Sequence, residues 1–323
     1  MIKGNDQIVM DDLEKPIVSL THNKKDRQIV YILMIILQCV IYGIGNPITK
    51  IAYESITPFW CLAFRFTLAA LVIAAIAGKR AITELRSVRI GNWMPGALCM
   101  AGAYILSNIA LNLTTATMVG FLMSLPVIFV PILAIIVLHR PYRWSFLPVQ
   151  VTAAAGLYLL CSTGGVFSFG WGEALALTVA VCTAGALVWG EKSLQSLSPL
   201  TLSFAQIVIT AVLSIMGALI FERGTAFSAI QPEAWWVIVY LAVFCSCLSY
   251  LLQNIALTHI PSSLISLTQC TEPVFTAAAS FAILGEQLSG MGWWGAALLL
   301  ACIVYGNYIE KKADGILPVG PTS

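Results

Sequence analysis

Two ionisable side chains stand where a charge is expensive. Glu272 lies ten residues into an apolar segment that opens at Ser262, roughly 15 Å along a helix at 1.5 Å per residue. Arg65 lies seven residues beyond Pro58 in another apolar segment, roughly 10 Å deep by the same rise. Charges at such depth mark functional positions by default, facing an interior rather than lipid. Glu272 can bind and release a proton or hold a cation; its structural alternative is a carboxylate bonded to Gln269 or Thr271 that holds a bend at Pro273. Arg65 can pair with Glu272, attract a carboxylate, or extend its head to the membrane surface.

Polar residues cluster at a third place, "YGIGNPITK" at 42–50. Pro47 has no amide hydrogen for the carbonyl of Gly43, so a helix here is expected to kink or unwind. In lipid such a break survives only against protein or a water-filled cavity. Asn46 beside it is therefore a candidate solute ligand, whereas Lys50 is expected to snorkel outward. Tyr104, Ser107, Asn108 and Leu111 fall at helical spacing on one face. Tyr250, Gln253 and Asn254 repeat that face later in the chain. Its amides can line a cavity or bond neighbouring helices.

No metal centre or cofactor site can be assembled. The nine cysteines all fall in apolar runs, where free cysteine packs as a small hydrophobe, and the three histidines are far apart. No G-x-x-x-x-G-K-[ST] loop is present, which argues against direct ATP coupling. A membrane-embedded enzyme would need a nucleophile–base pair or metal ligands, and Glu272 has no histidine or aspartate partner at its depth.

The elements that position these residues follow from composition. With 59% hydrophobic and 10% charged residues, against roughly 45–50% and about 25% in soluble domains, the chain belongs in a bilayer. Apolar windows at 29–53, 58–78, 92–112, 115–138, 146–163, 171–190, 199–221, 234–257, 262–284 and 291–309 each approach the roughly 20 residues that span a membrane. An all-α integral membrane protein of ten transmembrane helices is expected. Lys24, Lys25, Arg27, Lys79, Arg80, Arg86, Arg89, Arg140, Arg143, Lys192, Lys311 and Lys312 fall on one side of that topology, and only Lys50 and Arg223 on the other. The positive-inside rule then makes both termini cytoplasmic. The net charge of +2 reflects topology and points to no nucleic acid. The opening residues lack a cleavage pattern and read as a retained tail.

The chain also repeats itself. "AYILSNIAL" at 103–111 returns as "SYLLQNIAL" at 249–257, "SLPVIF" at 124–129 answers "TEPVFT" at 271–276, and Pro58, Ser55 and Arg65 answer Pro199, Ser196 and Gln206. Two five-helix units follow, and because five is odd the second is inverted. The expected division is a tail at 1–28, repeats at 29–163 and 164–310, and a second tail at 311–323.

The opening pattern through "TPFWCLAFRF", "WGE" at 171–173, "NIALTHIPSSLISL" at 254–267 and "EPVFTAAASFAILGE" at 272–286 resembles the EamA-type drug/metabolite transporters. "LHRPYR" after the fourth span departs from the glycine and glutamate that many members carry there. The resemblance implies a central cavity lined by helices 1, 3, 4, 6, 8 and 9, with Trp189 facing it as a stacking surface. It further implies a secondary transporter of the plasma (bacterial inner) membrane, exporting or exchanging a small organic metabolite such as an amino acid or drug-like solute by alternating access. Asn46, Tyr104, Asn108, Trp189, Tyr250, Asn254, Gln269 and Glu272 are the expected solute ligands. Glu272 and Arg65 are expected to couple or gate, with protons as the candidate coupling ion. A channel or embedded enzyme around a polar cavity is the alternative.

Overall fold

The computed structural model describes residues 24–113, 125–142, 144–161, 170–225, 227, 230–284 and 290–314. They form ten helices: α1 (Lys24–Tyr53), α2 (Pro58–Ser87), α3 (Ile90–Leu113), α4 (Pro126–Leu138), α5 (Leu147–Cys161), α6 (Trp171–Ser193), α7 (Pro199–Phe221), α8 (Pro232–Leu257), α9 in two segments (Ser262–Gln269 and Glu272–Leu284) and α10 (Gly290–Asp314). Residues 115–124 of the fourth expected span lie outside the described residues. Among the described residues, Lys24–Gln28 of the first expected tail and residues 311–314 of the second are helical.

Successive spans of a membrane bundle alternate in direction, so the ten helices are taken to run between two ends. The end bearing the N-terminus of α1 and the C-terminus of α10 is the terminal end here; the other is the distal end. Five helices (α1, α2, α6, α7 and α8) are long and apolar enough by themselves to cross a bilayer among the described residues. The outer surface of the bundle stays apolar, with Ile76 on α2, Ile136 on α4 and Val304 on α10 each more than 60% exposed, as a lipid-facing surface is. Trp171, Trp235, Trp236, Trp293 and Trp294 stand exposed at helix starts, the position of an interfacial aromatic belt.

Inversion shows in which helices pack. α2 packs along α7 and α5 along α10, each helix on its own counterpart. α3 packs on α6 as α8 packs on α1, α4 on α6 as α9 on α1, and α3 on α7 as α8 on α2. Exchanging the two repeats leaves this pattern unchanged. Small residues make the contacts close, as membrane helices require: a Cβ added at Gly185 would lie 2.9 Å from Cys99 Sγ, and one at Gly156 3.2 Å from the carbonyl oxygen of Gly295.

The α2/α7 pair carries a symmetric device at its ends. Both helices open on a hydroxyl residue followed by proline, Thr57–Pro58 and Ser198–Pro199, leaving first-turn amides without helical partners. Glu222, just past the end of α7, accepts from Thr57 Oγ1 at 2.5 Å, Phe59 N at 3.2 Å and Trp60 N at 3.0 Å. Glu84, at the far end of α2, accepts from Ser198 N at 2.5 Å, Ser198 Oγ at 2.8 Å and Thr201 Oγ1. Each helix thus ends in the acid that caps the other, once at each end of the bundle. Glu222→Ala or Glu84→Ala should cost about 1–2 kcal/mol of stability, the range for losing a helix cap. The melting temperature in detergent reads it, and an unchanged value in both variants would deny the caps any weight.

Candidate functional site

The polar stretch of α1 does not unwind. α1 stays helical from Lys24 to Tyr53 with Pro47 inside it, so of the two expected outcomes unwinding does not occur. The glycines serve close approach instead. A Cβ on Gly43 would meet Phe275 Cβ at 2.6 Å and the Thr276 amide nitrogen at 2.9 Å on α9; one on Gly45 would meet Cys245 Sγ at 2.8 Å on α8. α1 is held between the two helices of the other repeat, and the Ile41 carbonyl takes an extra hydrogen bond from Tyr240 Oη at 3.1 Å.

α8 and α9 are the irregular helices. α8 passes through a π-helical stretch, Leu241–Leu248, a feature that frequents functional sites. α9 breaks between Gln269 and Glu272, ahead of the Pro273 expected to bend it. Glu272 therefore opens a helical segment, where a carboxylate suits the positive end of the helix dipole.

These irregularities gather polar groups from both repeats. Asn46 Nδ2 donates to Glu272 Oε1 at 3.3 Å and to Thr276 Oγ1 at 3.1 Å, with Asn46 exposed and the two acceptors half-buried. One layer toward the terminal end, Gln38 Nε2 and Gln269 Nε2 both donate to Gln253 Oε1 at 2.9 Å. Gln38 and Gln253 are buried, yet Gln38 Oε1 and Gln253 Nε2 have no partner.

On the other side of the α1–α8 contact, Arg65 donates from Nε to Ser246 Oγ at 2.9 Å and from Nη2 to the Cys245 carbonyl at 3.4 Å. Its guanidinium carbon sits 5.2 Å from the ring centres of both Phe66 and Tyr104. Tyr104 Oη is 3.3 Å from Tyr42 Oη, and its ring lies 6.3 Å from that of Tyr250. Glu272 bonds to Asn46 rather than to Arg65, and no ion pair joins the two charges.

Of the residues expected at the site, Asn46, Gln269 and Glu272 come together, and Tyr104, Tyr250 and Arg65 form a neighbouring group. Asn254 does not join them. It is fully buried and donates to Ser203 Oγ at 2.8 Å and Gln206 Oε1 at 2.9 Å, bonding α8 to α7. Trp189 packs near the terminal end of α6 against Gly96 and the core around Ile35 and Leu187. The Asn108 side chain lies outside the described residues. Gln38, Tyr42 and Thr276 were missed, although a signal exists: Gln38, Tyr42 and Asn46 are spaced i, i+4, i+8, and Gln269, Glu272 and Thr276 i, i+3, i+7. Each set is a polar stripe on an apolar helix.

Between this polar joint and the terminal end the bundle is packed. Ile35, Cys39, Leu257, Leu264 and Ile265 fill it, and Tyr31 stacks on His259 with ring centres 4.0 Å apart. A vestibule of about 690 Å³ with a mixed lining opens beyond that plug, walled among others by Phe146, Gln195, Leu257, His259 and Ile260. At its wall Glu191 pairs with Arg140 through one oxygen and accepts from Ser262 N at 3.0 Å through the other. That carboxylate ties the end of α6, the α4–α5 connection and the start of α9 together. Among the described residues no cluster of metal-ligating side chains occurs.

Ten helices in two inverted repeats around an intramembrane polar joint define a multi-pass membrane transporter of small molecules. The chain belongs to the EamA-like transporter family, whose profile matches residues 29–162 and 170–306. It is 25% identical to the uncharacterised transporter YwfM of Bacillus subtilis strain 168 over 88% of this chain and 95% of that protein. It is 31% identical to the threonine/homoserine exporter RhtA of Salmonella typhimurium strain LT2 over 44% of this chain and 47% of the exporter. A crystal structure superposes with a TM-score of 0.75 at 17% identity, covering 88% of this chain and 99% of that one, a likeness of fold.

Proposed function

We propose that the protein is a secondary carrier that exports or exchanges a small amino-acid-like solute across the bacterial inner membrane by alternating access. Both termini are then cytoplasmic, as the lysine and arginine distribution requires, and the terminal end is the cytoplasmic one. The observation that carries the reading is the bond from Asn46 in the first repeat to Glu272 and Thr276 in the second. A carboxylate held between two inverted repeats, near the middle of its span, is where a rocking carrier keeps its solute. The name of the RhtA relative, a threonine/homoserine exporter, supports an amino acid as that solute.

In this mechanism the ammonium of the solute settles on Glu272, with Asn46 and Thr276 as further hydrogen-bonding partners. A charge at this depth must be balanced, so when solute leaves, a proton takes its place on the carboxylate and solute efflux exchanges for proton entry. The plug around Ile35 and Leu264, the Tyr31–His259 stack and the Glu191 tie are what must separate for solute to enter from the cytoplasm.

Counterflow in proteoliposomes tests the class of function. Vesicles loaded with unlabelled threonine should take up labelled threonine transiently, saturably and only when loaded. Flux that rises linearly with concentration and ignores the loaded solute would make the protein a channel, and chemical conversion of threonine would make it an enzyme.

A further inference from the structure

We propose that Arg65 is the carboxylate subsite of this carrier, the point at the joint between the repeats that receives the acid group of the solute. The inference rests on the carrier reading above and narrows its substrates to carboxylate-bearing solutes.

Arg65 is 9% exposed, and all its described neighbours are neutral: a serine hydroxyl, a backbone carbonyl and two aromatic faces. Of the five N–H groups of a guanidinium, those two bonds use two. No carboxylate of the described residues comes within ion-pair distance. Cation–π contact recovers only about 0.5–2 kcal/mol, whereas a buried charge without a counterion costs several. The site is built for an anion that is not part of the protein. Beside it the Tyr250 ring is buried, 1% exposed, with its centre 6.3 Å from that of Tyr104. A carboxylate supplies the missing counter-charge, taking parallel hydrogen bonds from the guanidinium.

The second repeat shows what this position needs for packing alone. Gln206, the counterpart of Arg65, is fully buried and accepts from Asn254 within its own repeat. Arg65 instead reaches across to α8 of the other repeat. A neutral amide suffices for helix contact, so the charge has another use. Its location gives that use: the Cys245 carbonyl that Arg65 holds belongs to the residue packed on Gly45, next to Asn46 and its bond to Glu272. Arg65 and Glu272 thus lie near the same close α1–α8 contact at Gly45 and Cys245, which must part for one zwitterion to reach both.

The test is a displacement-binding series on the purified full chain, alongside counterflow, with L-threonine, L-threoninamide and 3-hydroxybutyrate as probes. The wild type should bind threonine about tenfold or more tightly than its amide, and 3-hydroxybutyrate should bind measurably. Arg65→Gln, which copies the second repeat, should lose the preference for acid over amide, and Arg65→Lys should keep part of it. Equal affinity of the wild type for acid and amide, failure of every carboxylate probe to bind, or an undiminished preference in Arg65→Gln overturns the proposal. Should Arg65→Gln fail to fold, the wild-type series and Arg65→Lys decide. Arg65-dependent binding of 3-hydroxybutyrate without threonine exchange would sink the amino-acid reading and keep the subsite. Threonine exchange without acid preference would do the reverse.

Discussion

Replacing Glu272 by Gln abolishes solute efflux driven by a proton gradient and leaves exchange running with a KM raised about 10- to 100-fold. The carboxylate is the group in the joint able to swap an ammonium for a proton, and the amide that replaces it is fixed in the neutral state. Exchange of solute for solute moves no net proton, and Asn46 and Thr276 remain to hold the solute. The loss of affinity corresponds to removing one charged hydrogen bond from a half-buried site. Gradient-driven and exchange fluxes measured on the same vesicles separate the effects. Unchanged driven transport would remove Glu272 from coupling. Loss of both activities at every solute concentration would make it an indispensable ligand. Normal transport with a lower melting temperature would leave it only the Asn46 bond and the break in α9.

Gly43→Ala should be nearly as damaging, through packing. Its new Cβ would stand 2.6 Å from Phe275 Cβ and 2.8 Å from the Phe275 backbone carbon, so no side-chain rotation relieves it. α1 must separate from α9, and Asn46, three residues on, separates from Glu272 and Thr276 with it. Overpacking of this kind costs about 1–3 kcal/mol, and the displaced joint should lose most of its exchange activity. Gly91→Ala is the control, because nothing lies within 4 Å of its added Cβ. Equal melting temperatures and exchange rates for the two variants would mean the α1–α9 contact yields without consequence.

Much of this architecture is local information, and the sequence alone determined it. An apolar run long enough to cross a bilayer is legible without knowing its neighbours, which yields the ten helices. The pairs Pro58/Pro199, Pro126/Pro273 and Tyr104/Tyr250 reveal the repeat because offset needs no geometry. Glu272 stands out because a carboxylate is costly at that depth whatever surrounds it. Only the tertiary structure decided which way each polar side chain turns. Asn254 and Gln253 are adjacent, yet one bonds α7 and the other the α1–α9 layer. Gly43 and Gly45 look like helix breakers and instead seat α9 and α8 on an unbroken α1. Glu84 and Glu222, ordinary charges at helix ends, turn out to cap each other's helices. The physical reason is that lipid and protein interior are equally apolar. A membrane helix therefore carries no strong hydrophobic stripe to announce which face looks inward, and its rotation is settled only by the shapes and hydrogen bonds of the helices it meets.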